Sequence, residues 1–99
     1  MSLEILEELY EVVLDRRRNP VKGSYTCKLF EEGLDKILKK IGEESVEVIL
    51  AGRKQEREEI IYEVADLLYH VIVLLVYAGI GLEEVMEELE RRRGKRSDH

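Results

Sequence analysis

The chain is poor in the residues that staple, kink or bulk out small proteins: its 99 residues include one cysteine, one proline and no tryptophan. A lone Cys27 excludes an intramolecular disulfide and a thiolate metal site built within one chain, and it fits a reducing compartment. With only Pro20 to interrupt them, long helices are free to form, and no stretch alternates apolar and polar residues as a half-buried strand does. Basic residues are in deficit, 16 against 22 acidic ones for a net charge of −6. That balance argues against a general nucleic-acid binder, which must neutralise phosphates with surplus Lys and Arg. The uncharged run Leu67–Leu82 falls short of the roughly 20 residues that span a bilayer, and it contains His70 and two glycines. The N-terminal MSLEILEELYEVVLDRRR mixes acids among its apolar residues, unlike a secretory signal. These absences together lead us to expect a cytoplasmic protein without a nucleic-acid or membrane partner.

What is present reads as all-α, four to five helices in one domain over residues 1–99, with 94–99 as a flexible tail. The first helix is expected from about Leu3 to Arg17, ended by Asn19-Pro20 because the residue before proline avoids helical geometry. Thr26 is placed to cap a short helix through Phe30, and Gly33 either ends that helix or bends it into the next. From Leu34 to about Ala51, Leu34, Ile37, Leu38, Ile41, Val48 and Ile49 recur at three- and four-residue steps as one apolar stripe. Gly42 within it marks a possible close approach of backbone or ligand. A helix from about Glu56 to Ala78 becomes apolar on every side after Asp66, and Gly79 and Gly81 end it before a last amphipathic helix with Leu82, Val85, Met86 and Leu89. A helix without a polar face has to be covered all round, and a chain this short cannot do that alone. We therefore expect the bundle to be completed by dimerisation, with higher assembly open.

Two acidic clusters stand out, GEESVE with Glu43, Glu44 and Glu47, and EVAD with Glu63 and Asp66. Helical spacing puts Glu44 and Glu47 one turn apart on one face, beside the apolar stripe, and Glu63 and Asp66 likewise. Glu63 and Asp66 share a stripe with Leu67, His70 and Leu74, so their helix heads into the core where they sit. Most Glu-rich faces are merely solvated, but buried carboxylates need a cation, a proton or a metal, and Lys40 is the main base nearby. An oxygen-only donor set suits Mg²⁺ or Mn²⁺, and no Glu-x-x-His pair of the di-iron kind occurs. His70, one turn past Asp66, has two readings: a partner that orients Asp66, or a core histidine bonded to a backbone carbonyl.

The segments SYTCKLFEEGLDKILKKIGEESVEVILA and EVADLLYHVIVLL, followed by EELERR, closely resemble the phosphoribosyl-ATP pyrophosphohydrolases of histidine biosynthesis. These belong to the wider all-α nucleoside-triphosphate pyrophosphohydrolase group, marked by EExxE followed by ExxD. The resemblance implies Mg²⁺-dependent hydrolysis of the α–β phosphoanhydride of N1-(5-phosphoribosyl)-ATP, giving phosphoribosyl-AMP and pyrophosphate. It matches Glu44, Glu47, Glu63 and Asp66 to the family's metal-binding acids and Glu43 to the first EExxE position. The chemistry independently asks for charge neutralisation, a stabilised leaving group and a positioned water, the last a task for a spare carboxylate, Glu43 or Glu47.

Lys40 and, from the SYT-x-KL segment, Ser24, Tyr25, Thr26 and Lys28 are the candidates for holding the small-molecule nucleotide substrate. For Tyr25 and Thr26 a packing aromatic and a helix cap are equally open readings. Arg91, Arg92 and Arg93 read as a solvated helix end favoured by the helix dipole. Two other functions remain: a relative that hydrolyses ordinary or damaged nucleoside triphosphates, and a non-enzymatic helical dimerisation module whose acids keep it soluble.

Overall fold

A computed structural model of the chain describes residues 4–96. Five helices and a final helical turn make up the described residues, with no strand among them: α1 (Glu4–Arg18), α2 (Tyr25–Glu32), α3 (Leu34–Lys54), α4 (Arg57–Ala78), α5 (Leu82–Arg91) and α6 (Arg93–Arg96). Leu3, expected to open the first helix, lies outside the described residues. So do 97–99 of the expected tail, whereas 94–96 belong to α6.

Local chemistry sets most boundaries within a residue or two of expectation, with two corrections. The cap of α2 is Ser24, not Thr26: the Ser24 hydroxyl accepts the Cys27 N–H at 3.2 Å, the usual side-chain satisfaction of a free helix N-terminus. Thr26 is freed for a contact elsewhere. The helix expected to end at about Ala51 runs on to Lys54, and the chain reverses at Gln55, which adopts a left-handed φ of 56°. At the other end of α4, Gly79 takes a φ of 73° and the N–H groups of Gly79 and Ile80 close back on Val76 and Leu75, a termination that favours glycine. Gly42 lies mid-helix, and among the described residues nothing outside its own helix comes within 4 Å of where a side chain would start.

With so short a link, α3 and α4 form an antiparallel hairpin. Lys54 pairs with Glu59 near its closed end, and further along Glu44 faces Asp66. Val13 of α1, Leu29 of α2, Ile37 of α3 and Ile72, Val73 and Val76 of α4 build the core, flanked by Leu9, Phe30, Ile41 and Tyr77. The Arg17 guanidinium lies over the rings of Phe30 and Tyr77, at 4.9 and 4.7 Å from their centroids, and covers the core's edge while keeping its charge near water. The Tyr10 hydroxyl donates to the Ile80 carbonyl at 2.8 Å and ties α1 to the α4–α5 link.

At 22 residues α4 has the length and apolar content of a membrane span. Its Glu58, Glu59, Glu63 and Asp66, together with the core side chains it supplies, make it the central helix of a packed domain instead. Within the single chain, however, α3 and α4 leave Leu38, Ile49, Leu50, Ile61 and Leu68 open to solvent.

Candidate active site

Helical periodicity places Lys40, Glu43, Glu44 and Glu47 along α3, and antiparallel pairing brings the middle of that ladder opposite Asp66 on α4. The carboxylate that is buried is Glu44, only 7% exposed. Glu63 and Asp66, placed by the sequence where their helix heads into the core, are less enclosed: the Asp66 side chain is 34% exposed and Glu63 is half-buried. The reason is the packing direction. Glu44 follows Ile37 and Ile41 around the α3 face that covers the core, while Glu63 and Asp66 precede the point at which α4 becomes enclosed.

Carboxylate oxygens of Glu44 and Asp66 and a ring nitrogen of His70 lie within 4.8 Å of one another. Burial pushes the Glu44 carboxyl above its ordinary range, and a hydrogen bond with the Asp66 carboxyl and the Asp66 charge push it further, against the opposing pull of Lys40. Glu63 is near enough for its charge to act on Glu44, although Glu63 and the exposed Glu47 lie outside this tight group. Lys40 reaches Glu43 at 3.4 Å and Glu44 at 3.6 Å. Burial works against its ammonium, but Tyr25, Glu43 and Glu44 outweigh that and hold its pKa above the usual lysine value, so it stays charged. Among the described residues, one lysine shared between Glu43 and Glu44 leaves Asp66, Glu63 and Glu47 without an ion pair to Lys or Arg at this cluster, a carboxylate set that fits a hard divalent cation.

His70 is itself fully engaged. Its Nδ1 stands 2.8 Å from the Asp66 main-chain carbonyl, nearer than the Asp66 carboxylate at 3.6 Å, and Nε2 stands 3.0 Å from the Tyr25 hydroxyl. Of the two readings of His70, the bonded core histidine is the observed one. Tyr25 and Thr26 both belong to α2's first turn, and the Thr26 hydroxyl forms a short hydrogen bond with the Tyr69 hydroxyl. Sequence reasoning passed over Tyr69, although two adjacent polar aromatic residues in an uncharged run are a signal, because their buried polar atoms require partners. Lys28 stays exposed, and beside it an open hollow of about 940 Å³ is lined by residues 20–25, Cys27, Lys28, Glu31 and Glu32. A separate cavity of about 650 Å³ between α1 and α5, lined in part by Tyr10 and Met86, touches none of the candidate site residues.

A family model described as phosphoribosyl-ATP pyrophosphohydrolase matches residues 6–93. The chain belongs to that family. Among its relatives, a phosphoribosyl-ATP pyrophosphatase of Lactiplantibacillus plantarum is 54% identical over 97 residues, covering 98% of this chain and 92% of that protein. One of Leuconostoc mesenteroides is 56% identical over 97 residues, with 98% and 84% covered. The family also occurs within longer chains. A histidine biosynthesis bifunctional protein of Pyrococcus furiosus is 61% identical over 92 residues, and the match takes in 93% of this chain and 43% of that one.

Proposed function

We propose that this chain hydrolyses the α–β phosphoanhydride of N1-(5-phosphoribosyl)-ATP to phosphoribosyl-AMP and pyrophosphate, the second step of histidine biosynthesis, in the cytoplasm and with Mg²⁺ or Mn²⁺ bound. The observation that carries this reading is the buried Glu44 carboxyl facing Asp66, in a chain matched to that family over residues 6–93. Glu44, Glu47, Glu63 and Asp66 are the oxygen donors that would hold the ion, and their chemistry fits it better than a nitrogen site would, since both nitrogens of His70 are occupied. A bound divalent cation supplies charge neutralisation to the triphosphate and to the departing pyrophosphate.

The remaining tasks fall to this chain's own side chains. Glu43 or Glu47, both exposed beside the cluster, orients the attacking water and takes its proton. Lys40 offsets phosphate charge. Lys28 and the ring of Tyr25 face the substrate from the hollow, while Thr26 anchors their turn through Tyr69. The uncovered apolar positions of α3 and α4 support a homodimer packed along this hairpin, with further assembly open to the dimer. Sedimentation that shows a lone 11.6 kDa species would remove the dimer from the reading.

Pyrophosphate release decides the activity. It is expected from phosphoribosyl-ATP but not from dCTP, dUTP or ATP, to vanish with EDTA, and to return with excess Mg²⁺. Comparable turnover of the ordinary nucleotides would transfer the chain to the house-cleaning relatives. No release from any of them, together with no carboxylate-dependent ion binding in calorimetry, would leave a helical module.

A further inference from the structure

On the flank of the acidic cluster lies a second polar assembly: Tyr25 and Thr26 of α2 with Tyr69 and His70 of α4. His70 is 2% exposed, within an otherwise apolar run. A neutral imidazole has one N–H, and a carbonyl only accepts, so the 2.8 Å contact with the Asp66 carbonyl places that proton on Nδ1. Nε2 then presents a lone pair, and the Tyr25 hydroxyl donates to it across 3.0 Å. The rings of Tyr25 and Tyr69 meet His70 edge-on, at 5.9 and 4.9 Å between centroids, and brace it from two sides. With the Thr26–Tyr69 bond, two consecutive residues of α4 grip two consecutive residues of α2's first turn. Among the described residues no buried side-chain polar atom lacks a partner, His70 included, while Tyr25 keeps about half its surface in solvent.

A phosphate oxygen needs a donor. The tyrosine hydroxyl has a single proton, and here it is committed to His70. Tyr25 nevertheless lies near enough to the cluster for Lys40, Asp66 and Glu44 to act on its hydroxyl. We infer that Tyr25 and His70 form a positioning pair: His70 takes up the Tyr25 hydroxyl and thereby holds α2's first turn, with the Tyr25 ring and Lys28, at a fixed place beside Glu44 and Asp66. This rests on the pyrophosphohydrolase reading above and assigns the hydroxyl to positioning instead of phosphate contact.

A double-mutant cycle tests the pair, read by KM and kcat for phosphoribosyl-ATP and by calorimetric Mg²⁺ affinity. Tyr25→Phe should raise KM about five- to tenfold, the effect of one lost hydrogen bond, with kcat within about twofold and ion affinity unchanged. His70→Leu should do the same, and the double variant should be no worse than either single one. His70→Gln, which returns an acceptor near the Nε2 position, should lie closer to wild type. Additive KM losses, an unchanged KM in Tyr25→Phe, or a loss confined to kcat would each overturn the pair. Should circular dichroism show His70→Leu unfolded, Tyr25→Phe compared with His70→Gln decides alone. A wild type that leaves phosphoribosyl-ATP intact overturns the underlying reading and this inference with it, whereas normal wild-type turnover with additive losses overturns the pair only.

Discussion

Replacing Glu44 by glutamine, or Asp66 by asparagine, is expected to lower pyrophosphate release by on the order of 10²–10³-fold or more, while helicity and association state stay as in wild type. Both replacements keep the shape of the side chain and remove its charge, so a loss of turnover reports the charge. Glu44 adds a second, independent readout. Its carboxyl pKa is raised above the ordinary 4.5, first by burial and then by Asp66, so the folded chain binds its proton more tightly than the unfolded chain does. The stabilisation from that proton is complete below pH 4.5 and is lost as pH rises through the raised folded-state value. In EDTA the wild type should therefore melt at progressively lower temperature as pH rises from 4.5 through that raised value, and Glu44→Gln, which has no such proton to lose, should not follow it. At pH 7 without metal the inactive variant should be the more stable protein. Added Mg²⁺ should raise the melting temperature of wild type but not of the variant, because an ion stabilises only the state that binds it. Near-normal turnover in Glu44→Gln would sink the assignment, and a variant that melts lower than wild type in EDTA would show that Glu44 is held by some other interaction.

Truncating Ile37 to alanine should cost about 2–5 kcal/mol of stability, seen as a drop of roughly 10–20 °C or more in melting temperature. Ile37 is 0% exposed and touches the core that Val13, Leu29, Ile72, Val73 and Val76 complete. The cavity would open where α3 meets α4, two turns before Glu44 on the same helix face. Activity should therefore fall at temperatures well below the wild-type transition. Ile49, on the same helix but 67% exposed in the single chain, provides the contrast. Ile49→Ala should change stability by no more than about 0.5 kcal/mol if that surface stays in water, and by more, in a concentration-dependent way, if a second copy covers it. An Ile37→Ala protein that melts within a few degrees of wild type would contradict the core as described.

Much of this molecule was legible in its residues, for identifiable reasons. The three- and four-residue recurrence of Leu34, Ile37, Leu38 and Ile41, and the pairs Glu44/Glu47 and Glu63/Asp66, depend only on the 3.6-residue helical period, and α3 and α4 appear where that period places them. Gly79 ends its helix as expected, and of the two roles open to Gly33 the structure shows the helix end, because each takes a positive φ that side chains resist. The reading failed where two local solutions compete. Ser24 and Thr26 can both cap, and Ser24 does so because Thr26 finds Tyr69, 43 residues away. It also failed over depth: the apolar run after Asp66 drew attention to Glu63 and Asp66, whereas the buried acid is Glu44 on the partner helix.

By itself, then, the sequence determined the helical class and the helix faces that carry the acidic side chains. Those properties follow from residue type and from a repeat that spans a few residues. The tertiary structure alone decided that Glu44 is the enclosed carboxyl, that Asp66 is its partner and that His70 holds Tyr25. Burial and hydrogen bonds between segments tens of residues apart depend on how helices dock, and docking is set by the summed packing of the whole core, not by any local pattern.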